Sequence, residues 1–137
     1  MQSEILYVED NPGEVFLLTD AVRKLDAQFQ VRSLADGEQA LRFLRTLDTH
    51  PCVIVLDLGL PKIDGSEVFR NLKSNPQLAA IPVVIFAEPR VRARLTAGGP
   101  SPDLFLSKPM DLEGYKVIAQ QIVALCVPQV KTSRAGG

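Results

Sequence analysis

An α/β fold with a doubly wound parallel sheet is predicted by two features of the 137-residue sequence. Short apolar runs alternate with longer amphipathic stretches, giving a βα order repeated five times, the alternation that builds a parallel sheet covered by helices on both faces. Two of the runs, Cys52-Val53-Ile54-Val55-Leu56 and Ile81-Pro82-Val83-Val84-Ile85-Phe86, are continuously apolar, as strands buried on both faces are, and are expected at the centre of the sheet.

The elements follow in order. Ile5–Val8 reads as the first strand. After Asn11-Pro12-Gly13, the spacing of Val15, Leu18, Val22 and Leu25 predicts a helix. Residues 29–34 alternate with period two, as a strand does; Asp36-Gly37 opens a second helix with Ala40, Phe43, Leu44 and Leu47 on one stripe, and His50-Pro51 closes it. The third strand, residues 52–56, runs into a Gly- and Pro-rich loop from Asp57 to Gly65. A third helix starts near Asp64, read as its cap with Glu67 as the capping-box partner, and ends at Asn75-Pro76. Residues 81–86 form the fourth strand, entered through Pro82. Residues 89–97 suit a short helix broken by Gly98-Gly99-Pro100; Arg90, Arg92 and Arg94 within it read as a solvated surface. Leu104-Phe105-Leu106 is a fifth strand, and Tyr115, Ile118, Ile122 and Leu125 mark a last helix that Pro128 is expected to stop. One domain over residues 1–127 and a structureless polar tail at 128–137 are the predicted organisation.

Composition narrows the function. Fifteen basic and sixteen acidic side chains leave a formal net charge of -1, without the basic excess of a nucleic-acid binder. Cys52 and Cys126 are far apart, form no metal-ligand spacing and sit in apolar surroundings, so both read as reduced core or near-core thiols. The apolar run Ile5–Val8 is too short for a signal peptide or membrane span, and no basic segment precedes it; a cytoplasmic protein with no membrane contact is expected.

Ligands of doubly wound sheets bind beyond the carboxyl ends of the strands. Glu9 and Asp10 follow the first strand, Asp57 the third, Ala87 and Glu88 the fourth, and Ser107-Lys108-Pro109 the fifth. Three carboxylates gathered at one edge repel one another, and a divalent cation resolves the conflict; few ligands with open water positions suit Mg²⁺. With Lys108 beside it, the same edge forms a cradle for a phosphoryl group, whose transfer needs mainly positioning and charge neutralisation.

The motifs Tyr7-Val8-Glu9-Asp10-Asn11, Asp57-Leu58-Gly59-Leu60-Pro61-Lys62-Ile63-Asp64-Gly65 and Ser107-Lys108-Pro109, in this order and each at a strand end, resemble the receiver domains of two-component response regulators over about residues 4–126. The resemblance implies a flavodoxin-like five-stranded sheet of order 2-1-3-4-5. It implies that Asp57 accepts a phosphoryl group from a partner histidine kinase, that Glu9, Asp10, Asp57 and the backbone carbonyl of Gly59 hold Mg²⁺, and that Lys108 pairs with the phosphate. Phe105 matches the aromatic that turns inward on activation. Such a module assists only its own phosphorylation and dephosphorylation and is not otherwise an enzyme. Its output would pass through protein contacts with a downstream target, and a homodimer would use the face made by the fourth helix, fifth strand and fifth helix. The opening Val8–Glu14 is most similar to single-domain regulators paired with phytochrome-type histidine kinases.

Two positions depart from the family pattern. Ala87 stands where a Ser or Thr hydroxyl normally bonds the phosphoryl oxygen, and Glu88 stands where a small residue keeps the site open. These substitutions define an alternative: a receiver-like adaptor or dimerisation module with impaired or absent phosphorylation switching. A flavodoxin-like cofactor binder or a phosphatase ranks behind both, because the first strand-to-helix loop carries no glycine-rich phosphate cradle.

Overall fold

The computed structural model describes residues 3–46, 50–58, 65–87 and 102–136. Five strands, β1 (Ser3–Val8), β2 (Phe29–Leu34), β3 (Val53–Asp57), β4 (Val83–Phe86) and β5 (Leu104–Leu106), pair in parallel in the order β2-β1-β3-β4-β5. Among the described residues the helices are α1 (Pro12–Leu25), α2 (Gly37–Arg45), α3 (Gly65–Ser74) and α4 (Leu112–Gly136). The sequence reading of a short helix at 89–97 and the cap assigned to Asp64 lie outside the described residues.

Strand periodicity divides the core into two layers. On one face, Ile5 and Tyr7 of β1, Val53 and Val55 of β3 and Val84 and Phe86 of β4 pack against Leu18 and Val22 of α1 and Tyr115, Ile118, Ala119 and Ile122 of α4. On the other, Leu6, Val8, Ile54, Leu56, Val83 and Ile85 meet Ala40, Leu41 and Leu44 of α2 and Val68, Phe69 and Leu72 of α3. This double burial is why residues 53–56 and 83–86 carry no alternation of polar side chains. β3 is the central strand, flanked by β1 and β4; β4 is therefore one place off centre, not a second central strand.

Local chemistry sets the helix starts that matter for function. Asn11 caps α1, its Oδ1 accepting from the Gly13 and Glu14 N–H groups at 2.9 and 3.1 Å, with Pro12 at the first helical position where no N–H is needed. Asp36 caps α2, accepting from the Gln39 N–H at 2.8 Å. Gly114, in the first turn of α4, lets that helix approach the loop after β5: a Cβ there would stand 2.5 Å from the Pro109 Cβ.

Two expectations are corrected. Cys52 and Cys126 are not separate thiols but form a disulfide, with their Cα atoms 5.3 Å apart and 74 residues between them in sequence. The pairing arises because the entry to β3 and the second half of α4 pack in the same layer, a juxtaposition that no local cysteine spacing reveals. The last helix runs through Pro128 to Gly136, where a stop and a structureless tail were expected. Proline removes one N–H donor, and the Gln129-Val130-Lys131 segment beyond it carries no glycine or second proline to end the helix.

Candidate functional site

The sheet register brings two acids level with each other. Val8 pairs with Leu56, so Glu9 and Asp57 stand next in line on neighbouring strands, about 4.8 Å being the ordinary spacing between them. Phe86 pairs with Leu106, so the chain leaves β5 toward the same edge, and Lys108 reaches back to the two acids. Its Nζ donates to Asp57 Oδ2 at 2.8 Å and to Glu9 Oε1 at 3.0 Å. A third carboxylate, that of Glu14 in the first turn of α1, meets the same ammonium at 2.5 Å. Glu14 Oε1 is shielded from solvent and its contact with Lys108 is an ion pair rather than an aligned hydrogen bond.

Glu9 is held on every side. Its side chain is 1% exposed. Besides Lys108 it accepts from the Tyr7 hydroxyl at 3.4 Å and, through Oε2, from the Asn11 N–H at 3.2 Å, while its own N–H donates to the Leu34 carbonyl of β2. Burial, reinforced by the neighbouring Asp57 carboxylate, pushes the Glu9 carboxyl up to about 7 despite the opposing pull of Lys108. Lys108 shows the converse balance. Burial disfavours its charge, but Asp57, Glu14 and Glu9 together outweigh that and hold its ammonium well above the ordinary lysine value. The Tyr7 hydroxyl is raised by burial and by the nearby acids, so it stays a neutral donor to Glu9.

Of the residues singled out from sequence, Glu9, Asp57 and Lys108 are thus brought together. Asp10 is exposed and lines, with Glu9, a groove between α1 and the β2–α2 connection. Gly59 and Glu88 lie outside the described residues. Ala87 is partly buried against the α2–α3 layer, and its N–H donates to the Leu106 carbonyl at 3.0 Å. Phe105 is partly buried against the same layer. Glu14 and Tyr7 are the site residues that sequence reasoning missed. The available signal was the position of Glu14 at the third residue of a helix that begins directly after the acidic pair.

Among the described residues, no three Asp, Glu, His or Cys side chains form a ready-made metal cage. The donor chemistry nonetheless fits a hard divalent cation. Two facing carboxylates, one of them raised by burial and then by its acidic neighbour, with a third acid adjacent in the chain, suit an ion that keeps several of its waters.

Known proteins with the same architecture share this arrangement of strands. A family profile described as the response regulator receiver domain matches residues 5–119. The probable methanogenesis regulatory protein FilR2 of Methanothrix harundinacea is 34% identical over 86% of this chain and 79% of its own length. The response regulator Rcp1 of Synechocystis is 37% identical over 59% of this chain and 58% of its own length; its Mn²⁺-bound crystal structure superposes with a TM-score of 0.72 and 29% identity, covering 88% of this chain and 91% of that one. The phosphorylated cyanobacterial phytochrome response regulator RcpA gives a TM-score of 0.81 at 28% identity, covering 93% and 95% of the two chains. With the 2-1-3-4-5 parallel sheet, these matches place the chain in the response regulator receiver domain family of two-component systems.

Proposed function

We propose that Asp57 accepts a phosphoryl group from the phosphohistidine of a partner histidine kinase, with Mg²⁺ held at Glu9, Asp10, Asp57 and the Gly59 carbonyl, and that the protein signals by protein contacts in the cytoplasm. The observation that carries this reading is the convergence of Asp57, Glu9 and Lys108 at one strand-end edge.

In the transfer, an Asp57 carboxylate oxygen forms a bond to phosphorus as the bond from phosphorus to the donor imidazole nitrogen breaks, and the electron pair leaves with the imidazole. A bound divalent cation supplies charge neutralisation on the phosphoryl oxygens. Lys108, already 2.8 Å from Asp57, supplies a second positive charge and N–H donors to those oxygens. Tyr7 and the Asn11 N–H hold Glu9 in place without adding charge. Exposed Phe16, Met110 and Leu112 lie on the elements that carry the site and give a partner protein apolar footing beside it. Incubation with acetyl phosphate and Mg²⁺ tests the reading. Intact mass is expected to rise by one phosphoryl group, and to stay unchanged when Mg²⁺ is chelated. No gain under conditions in which RcpA becomes phosphorylated would overturn it.

A second reading rests on Ala87, whose methyl group cannot donate a hydrogen bond to a phosphoryl oxygen. In it, the chain is a receiver-like adaptor or dimerisation module whose phosphorylation switching is impaired or absent. The comparison is between the parent and Ala87→Thr, each with and without phosphorylation, by backbone NMR shifts of β5 and α4. Larger phosphorylation-dependent shifts in Ala87→Thr than in the parent are expected from this reading. Equal shifts would remove it.

A further inference from the structure

We infer that Glu14 is a positioning residue for the phosphoryl-transfer reaction: it anchors the Lys108 ammonium at the acceptor when Glu9 and Asp57 are engaged elsewhere. The inference rests on the proposed role of Asp57 and extends it to a residue outside the expected acceptor and metal set.

The geometry assigns the role. Three carboxylates surround one ammonium, those of Asp57, Glu9 and Glu14. Two of them, Glu9 and Asp57, are the proposed holders of the cation, and Asp57 also receives the phosphoryl group. Both interactions draw negative charge away from Lys108. Glu14 stands apart from that competition: Glu9 and Asp10 line the groove on the α2 side of α1, whereas Glu14 and Lys108 line a second groove with Leu17, Pro109 and Tyr115 on the α4 side.

The local structure of α1 frees Glu14 for this role. It occupies the third position of the helix, after the cap Asn11, from which an acidic side chain ordinarily folds back to accept the N–H of the cap residue. Here the Asn11 N–H donates to Glu9 Oε2 instead, at 3.2 Å. The Glu14 carboxylate is therefore available, and it turns to Lys108. A lysine on a four-carbon stem loses much rotamer freedom when fixed, and a single persistent ion pair from a helix start reduces the number of states it must leave to reach the phosphoryl oxygens.

The test compares Glu14→Ala, Glu14→Gln and Glu14→Asp with the parent, all checked for unchanged folding by thermal melts. Two readouts are taken. The first is the rate of acyl-phosphate formation from acetyl phosphate at saturating Mg²⁺. The second is the order of the Lys108 ε-methylene by ¹³C relaxation in the Mg²⁺-loaded protein, its signal assigned by its loss in Lys108→Arg. Glu14→Ala is expected to slow the reaction by about tenfold and to lower the side-chain order, with Glu14→Asp recovering part of both and Glu14→Gln falling between. Unchanged rate and unchanged order in Glu14→Ala would overturn the anchoring role, as would a faster reaction, which would make Glu14 a source of repulsion. If the parent itself takes no phosphoryl group, the role of Asp57 fails, while the order measurement still decides whether Glu14 holds Lys108.

Discussion

Replacing Lys108 by alanine is expected to lower the unfolding free energy of the metal-free protein at pH 8 by about 3 kcal/mol, because it leaves Glu9, Asp57 and Glu14 crowded without a counter-charge. The melting temperature should fall by about 10 °C. The pH dependence gives the loss a signature. Glu9 is raised to about 7 from an ordinary 4.5. A carboxyl whose folded value is raised contributes most below its unfolded value, and that contribution is lost as pH climbs from about 4.5 to about 7. The parent protein without metal should therefore lose stability over that interval on account of Glu9, by up to about 3 kcal/mol. Lys108→Ala removes the cation that opposes this rise, so its deficit should be largest at pH 8 and shrink toward pH 5, where protons replace the ammonium. Added Mg²⁺ should recover part of the deficit at pH 8 by neutralising the same acids. Thermal melts at pH 5 and pH 8, with and without Mg²⁺, check each part; a deficit that does not vary with pH would separate Lys108 from the acidic cluster.

Reducing the Cys52–Cys126 disulfide is expected to cost about 4 kcal/mol, from the chain entropy that a loop of 74 residues regains in the unfolded state. At this chain length the melting temperature should drop by about 15 °C. The bond ties the start of the central strand to the last helix, whose other end carries the turn after Lys108, so local protection of α4 should fall as well. Alkylation followed by mass measurement distinguishes the forms: no adducts on the oxidised protein, two after reduction. Two adducts on protein purified in air, or equal melting temperatures with and without reductant, would contradict the pairing.

Much of this fold was legible because parallel strands bury both faces. The run Cys52–Leu56 could hardly be anything but an inner strand, and the first polar residue after it, Asp57, had to emerge at the sheet edge. The same logic placed Glu9 after β1 and Lys108 after β5, and the observed register joins all three. Other features have no one-dimensional signal. The disulfide depends on the packing of α4 against β3, which only the closed core determines. Glu14 looks like a cap partner by its position, and its turn toward Lys108 follows from Glu9 already occupying the Asn11 N–H. Pro128 reads as a stop because isolated prolines usually end helices, yet α4 continues past it.

Locating the phosphoryl group tests the central assignment most directly. Protein treated with acetyl phosphate and Mg²⁺ is reduced with borohydride, which converts an aspartyl phosphate to homoserine, and is then digested and sequenced by mass spectrometry. Homoserine at position 57, and nowhere else, is the predicted result. Homoserine at another aspartate, or none in protein that has gained phosphate, would contradict it.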